Sequence, residues 1–339
     1  MTVHRDLADE YRTALVGYVA APDEIGLARA YELGHRAVEA GMGLIELVGV
    51  HRAAVDEVVA ETPTRAQVAA AMDFLTESLS TFEMAQRGYR EAQERAAVAH
   101  DIALTLQRSL LPAELPALPG VERAVRYLPA GPEVEVGGDW YDVVPLDDGR
   151  VGLVVGDVMG HGIRQAAVMG QMRLGVRAYL LEGHAMDDAV GRTDALLMSL
   201  GGMQTATMVV GVVDVGAATL SLVNAGHPPP VLAEPGGGAR FVVGGQGRLL
   251  GLPLPAERPI HGPEALRPGS CLLMYTDGLL EAEERAGGDG LDRLLATVAG
   301  FEGTPDELCD HVIAALVDDA PGDDICLLAV RLVDCRAPG

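Results

Sequence analysis

The sequence predicts an α+β chain in which an all-helical bundle and a long linker helix precede a sandwich of β-sheets covered by helices. Three observations predict it. Apolar residues recur at helical spacing from the N-terminus to Pro112. Beyond Pro112, Pro116 and Pro119 the pattern changes to short apolar runs between glycine-rich turns. Helical stretches are inserted between hairpin-like pairs there, which argues against repeating parallel units.

The 339 residues, 49% apolar and 22% charged, have an ordinary globular balance and allow two domains. A formal charge of -24 repels phosphate backbones and anionic lipid. Neither nucleic acid nor membrane is therefore an expected partner, unless bound metal reverses the field locally. The N-terminus has no signal-peptide core, and no apolar run has membrane length. Cys271, Cys309, Cys326 and Cys335 form no closely spaced pairs, so neither a zinc site nor a disulfide framework is indicated. The expected setting is a reducing cytoplasm.

Residues 2–20, 23–40 and 43–61 read as helices, broken at Pro22 and around Gly41 and Gly43. A fourth helix is expected from Thr62 as N-cap, with Pro63 in its first position, to Pro112. It would run roughly 70 Å at about 1.5 Å per residue, too long for a compact bundle alone. Leu75, Phe82, Tyr89, Ala96, Ala103 and Leu110 recur every seventh residue, accompanied by Ala85, Ala92, Ala99 and Leu106. Such heptads form a coiled-coil seam, here thinned by alanine, and a helix lying on the next domain fits equally well. The expected division is a helical domain over 1–83, a linker helix over 84–112 and a mixed domain over 113–335.

In the mixed domain, residues 142–146 and 151–155 flank an Asp-Gly hairpin turn at 147–150. Residues 164–182 and 186–199 read as helices, 205–213 and 219–223 as a second hairpin, and 271–275 as a buried strand. Two more helices, 289–299 and 305–318, precede a last strand from Ile325 to Val333.

Four segments place aspartates at the ends of these runs: Gly-Gly-Asp139-Trp-Tyr-Asp142, Val-Gly-Asp157-Val-Met-Gly-His161-Gly, Tyr-Thr-Asp277-Gly and Gly-Asp323-Asp324-Ile. Singly, Asp277-Gly278 reads as a turn and Asp157 as a helix start. Their repetition at strand ends, which are rigid platforms, points to carboxylates converging on hard divalent cations. Metal-assisted hydrolysis is the reaction class this suggests. The sequence contains neither a Cys-x5-Arg phosphate loop nor a G-x-S-x-G elbow for nucleophilic catalysis.

The order GGDWYD, GDVMGHG, NAGHPPP, YTDG and GDDI resembles the SpoIIE/RsbU-like branch of the PPM metal-dependent protein phosphatases. The Leu-Gln-Arg-Ser-Leu-Leu-Pro stretch ending at Pro112 is similar to that branch's approach to its catalytic domain. The resemblance implies an αββα sandwich, with two antiparallel sheets flanked by helices, and a PPM-type phosphatase domain over 113–335. It further implies two Mn2+ or Mg2+ ions, whose bridging hydroxide attacks phosphoserine or phosphothreonine in a protein. Carried over, Asp139, Asp157, Asp277 and Asp323 are the catalytic metal-binding residues, with the Val158 carbonyl beside them. Asp324 is expected behind them or at the strand start, and Gly160 and Gly162 let the backbone approach closely.

By the same resemblance, the substrate is a phosphorylated STAS-type antagonist of an anti-sigma factor. The N-terminal region would be a dimerisation module that docks an upstream activator, making the protein a homodimer. The alternative is a catalytically silent scaffold of the same fold. Two departures stand out. The histidine that eukaryotic members carry two residues after the second aspartate is Met159 here, and Glu133-Val134-Glu135-Val136 occupies the place of their phosphate-binding arginine. His161 reads either as a proton donor or as a cap of the following helix, and His227 as part of a rigid connection or as a catalytic group.

Overall fold

The computed structural model describes residues 2–58, 63–130, 137–202, 204–255, 257–285, 289–317 and 321–333. The chain falls into two compact units, Met1–Val98 and Ala99–Gly339. The first holds α1 (Thr2–Ala20), α2 (Glu24–Glu39), α3 (Leu44–Val58) and the start of α4 (Arg65–Leu110), which continues past Val98.

Tyr11, Leu15, Leu33, Leu47 and Phe74 form the core of the first unit. The Tyr11 and Phe74 rings meet edge-on at 5.2 Å. α2 starts at Asp23, whose carboxylate accepts from Gly26 N at 2.7 Å. The α4 cap differs from the expectation. Thr64 and Gln67 close a reciprocal box, with Thr64 N donating to Gln67 Oε1 at 3.0 Å and Gln67 N to Thr64 Oγ1 at 3.3 Å. A Thr-x-x-Gln spacing outweighs the Thr-Pro signal because it satisfies two exposed donors instead of one. Thr62 itself lies outside the described residues.

In the second unit, β1 (Val121–Leu128), β2 (Asp139–Pro145) and β3 (Arg150–Val158) precede α5 (Ile163–Leu181) and α6 (Met186–Ser199). Next come β4 (Ala206–Asp214), β5 (Thr219–Ala225), β6 (Val231–Ala233), β7 (Ala239–Phe241), β8 (Gln246–Gly247), β9 (His261–Ala265) and β10 (Cys271–Tyr275). Helices α7 (Gly278–Arg285), α8 (Gly290–Val298) and α9 (Pro305–Leu316) lead to β11 (Ile325–Leu332). One sheet has the order β1-β11-β10-β6-β7 and the other β2-β3-β4-β5-β8, with β9 beside β5. Pairing is antiparallel except for the short β5–β8 contact. The αββα sandwich is therefore present.

Alternation along the strands builds the layers. On β10, Leu272 and Met274 enter the core between the sheets, while Cys271, Leu273 and Tyr275 face the core shared with α8 and α9. β11 repeats this with Cys326, Leu328 and Val330 against Ile325, Leu327 and Ala329. Helices α5 and α6 cover the other sheet. Gly156 lies opposite Trp140, and a Cβ there would stand 2.3 Å from the indole, so only glycine lets that ring lie flat.

Along the linker part of α4, exposed apolar side chains interleave with packed ones. Met84, Tyr89, Val98, Ile102 and Leu106 are exposed. Leu104 packs with Ala166, and Leu110 packs on the main core over Gly170, where a Cβ would meet its Cδ2 at 2.8 Å. The side chains of Ala92, Ala96, Ala99 and Ala103 lie outside the described residues. Among the described residues, no helix is long and apolar enough to cross a membrane.

Candidate functional site

β2 and β3 bring two of the four aspartates together, because their register sets Asp139 directly opposite Asp157. Opposed side chains in such a pair share one face of the sheet. Asp139 is 2% exposed, and its Oδ2 accepts from Thr276 Oγ1 at 2.6 Å. The same hydroxyl oxygen accepts from Cys326 N at 2.9 Å, so Thr276 ties the head of β2 to β11 of the other sheet. The Val158 carbonyl lies over Gly138, 2.2 Å from where a Cβ would stand, and Val158 N donates to Gly138 O at 3.1 Å. Glycine at 138 is thus required for the two strand ends to close.

The other two aspartates come from the opposite sheet. Asp277 lies between the end of β10 and the start of α7, its carbonyl accepting from Leu280 N at 2.8 Å and Glu281 N at 3.0 Å. Asp323 stands before β11, its Oδ1 accepting from Asp324 N at 2.8 Å. Asp324, 1% exposed, uses both oxygens inside the fold. Ala130 N donates to Oδ1 at 2.8 Å, Gln107 Nε2 donates to Oδ2 at 2.6 Å, and Tyr127 OH donates to that same Oδ2.

Electrostatics show what this assembly lacks. Burial, then the charges of Asp157 and Asp324, hold the Asp139 carboxyl well above the ordinary carboxylate range. Burial, then Asp277 and Asp323, push Asp157 up to about 7. Neither Asp139 nor Asp157 has an ion-pair partner among the described residues. Among those residues no group of three His, Cys, Asp or Glu side chains forms a ready metal cage. What the fold assembles is a close pair, Asp139 with Asp157, on which Asp277 and Asp323 act through their charge. Buried oxygen donors with uncompensated negative charge suit a hard divalent cation, and the residues fit such an ion on that ground.

Around the pair, Gly160 and Gly162 have φ of 93° and 109°, a conformation that favours glycine. Gly162 is the N-cap of α5, so the exposed His161 precedes the cap and does not supply it. His227 is buried, and its Nδ1 accepts from Thr207 Oγ1 at 2.8 Å while Nε2–H donates to Tyr275 O at 3.0 Å. Burial lowers its pKa to about 3, so the ring is neutral, and both nitrogens are committed to joining the sheets. Residues 133–136 and Cys335 lie outside the described residues.

Sequence reasoning passed over Thr276, Tyr127 and Gln107. Two of them carried a signal: Thr276 is a hydroxyl residue beside Asp277 at a strand end, and Gln107 lies in the Leu-Gln-Arg-Ser-Leu-Leu-Pro stretch.

Comparison with known proteins matches residues 147–333 to the family described as stage II sporulation protein E (SpoIIE). Residues 9–85 match the N-terminal domain of the phosphoserine phosphatase RsbU. Protein IcfG of Synechocystis sp. is 26% identical over 258 residues, covering 66% of this chain and 40% of that protein. The phosphoserine phosphatase RsbP of Bacillus subtilis is 26% identical over 152 residues, covering 43% of this chain and 37% of its own. The chain thus spans about two fifths of the length of these relatives. The crystal structure of the RsbU and RsbW domains of Rv1364c from Mycobacterium tuberculosis superposes with a TM-score of 0.60 and 33% identity, covering 68% of this chain and 64% of that one.

Proposed function

We propose that this chain, which belongs to the SpoIIE family, is a metal-dependent protein serine/threonine phosphatase acting on a phosphorylated regulatory protein. The observation that carries this reading is the Asp139–Asp157 pair, buried at Asp139 and half-buried at Asp157, with no ion-pair partner among the described residues and with Asp277 and Asp323 near enough to raise the pKa of Asp157. Asp139, Asp157, Asp277, Asp323 and the Val158 carbonyl would hold two Mn2+ or Mg2+ ions. Such ions neutralise phosphoryl oxygens and make a water acidic enough to attack at neutral pH. The chain supplies the rest. Thr276 fixes the Asp139 carboxylate, Gly138 lets the strand ends close, and Gly160 and Gly162 make the positive-φ turns between Asp157 and α5.

The substrate we favour is a phosphoserine-bearing STAS-type antagonist of an anti-sigma factor, in a reducing cytoplasm. Supporting it are RsbP, itself named a phosphoserine phosphatase, and the Mycobacterium tuberculosis protein, which carries an RsbW domain besides its RsbU domain. On the same reading, residues 1–83 dock an activator, residues 84–112 link, and residues 113–335 catalyse. The exposed Tyr89 and Leu106, both on the seven-residue seam of α4, support pairing of two copies. A single-chain mass in solution at micromolar concentration would remove the homodimer.

The decisive experiment measures phosphate release from phosphoserine proteins and from p-nitrophenyl phosphate, with Mn2+ or Mg2+ added to the full chain. Turnover that requires the ion and is lost in Asp157→Ala is expected. No turnover with either ion on any of these substrates would leave the silent scaffold as the better description.

A further inference from the structure

We propose that Gln107, on the last turn of α4, is a positioning residue that sets the metal-binding carboxylates through Asp324. The inference rests on the phosphatase reading above.

Asp324 is the junction of three strand ends. Its carboxylate packs against Gly137, where a Cβ would stand 2.6 Å from Cγ, two residues before Asp139. Its backbone carbonyl packs against Gly278, where a Cβ would stand 2.1 Å away, one residue after Asp277. Its amide donates to Asp323 Oδ1 at 2.8 Å. A shift of Asp324 therefore moves the supports of Asp139, Asp277 and Asp323 together.

Gln107 is one of the groups that fix Asp324 and, among the described residues, the one carried by α4. It is 1% exposed, and Nε2 reaches Asp324 Oδ2 at 2.6 Å, Tyr127 OH at 2.5 Å and Gly137 O at 3.3 Å. One amide group thus touches both sides of the Asp324–Gly137 contact. Leu104 and Leu110, three residues before and after it, anchor that turn on Ala166 and Gly170 of α5. The choice of an amide also matters electrostatically. A buried carboxylate needs donors, but a cation here would cancel the negative potential that attracts metal, whereas a neutral N–H satisfies Asp324 and leaves that potential intact.

The test uses Gln107→Met in the full chain, which keeps length and packing and removes the donor. Mn2+ binding is measured by calorimetry, and kcat and KM for p-nitrophenyl phosphate at saturating Mn2+. Loss of a direct partner of a metal ligand typically weakens metal binding by about 10- to 100-fold, and Gln107, which acts one residue further out through Asp324, belongs at the lower end of that range. We expect a shift of that size, with kcat reduced and KM little changed. Wild-type Mn2+ affinity in a folded Gln107→Met, even with a lowered melting temperature, would overturn the proposal and leave Gln107 a packing residue. If Gln107→Met does not fold, Tyr127→Phe, which removes another donor to the same oxygen, decides by the same two readings. A wild type that binds no Mn2+ and shows no turnover would instead defeat the phosphatase reading, and the proposal with it.

Discussion

Asp139 and Asp142 lie on the same strand, both almost fully buried, and the fold treats them in opposite ways. Asp142 faces α5, where Arg173 Nη1 reaches it at 3.0 Å and Arg177 Nη1 at 2.6 Å. Asp139 faces the other sheet and receives a hydroxyl and the charge of neighbouring carboxylates. Burial raises the pKa of both, but at Asp142 the two guanidinium groups oppose part of that rise. One strand thus carries a carboxylate neutralised from within and one left for an outside cation. Buried charge left unpaired is costly to stability and is retained where it has work to do.

The largest expected effect breaks the Asp139 side of this comparison. Asp157→Ala removes one member of the pair and should lower metal-dependent turnover by about three orders of magnitude, since such charge stabilisation is usually the largest single contribution. Circular dichroism should show the fold retained. A loss of less than tenfold would mean that Asp157 binds no essential ion.

Asp142→Ala tests the other side. It strands two arginines, whose side chains are 12% and 33% exposed, and should cost about 3 kcal/mol in unfolding free energy. Turnover per folded molecule should stay near wild type. A stable variant with crippled activity would reverse the roles assigned to the two residues.

A third test, which touches stability alone, is a pH dependence measured with chelator present. Asp157 has its folded pKa raised from 3.8 to about 7, so between those values the folded chain keeps a proton that the unfolded chain has released. Stability from this group is then greatest below 3.8 and falls as pH rises to 7. His227, lowered from 6.5 to about 3, works in the opposite direction, gaining stability as pH rises to 6.5. Subtracting the Asp157→Asn variant cancels the histidine. The wild type should lose stability relative to that variant between pH 4 and pH 7. A flat difference would show that Asp157 is solvated as in a peptide.

The elements with strong periodicity were legible: α1 to α3, the β2–β3 and β4–β5 hairpins, α5, α6, β10 and β11 lie within a few residues of where the pattern places them. β1 was not, because Glu122, Arg123 and Arg126 interrupt its alternation, as is common on an edge strand. β6 to β9, of two to five residues each, are too short to show a period among the glycines and prolines around them. α7 was hidden because Asp277-Gly278, read as a turn, is where that helix begins. At the site, motif order pointed to the acidic residues, and β-register then shows why Asp139 and Asp157 face each other. The Gln107–Asp324 bond joins residues 217 positions apart, and although each lies in a motif of its own, nothing local in the chain pairs them.

His227 bridges Thr207 of one sheet and Tyr275 of the other, next to the strand end that carries Asp277. An aromatic ring is an incompressible spacer of fixed width, so the gap across the mouth of the sandwich is gauged by a single imidazole. The two halves cannot drift apart at that edge unless one of its nitrogens lets go.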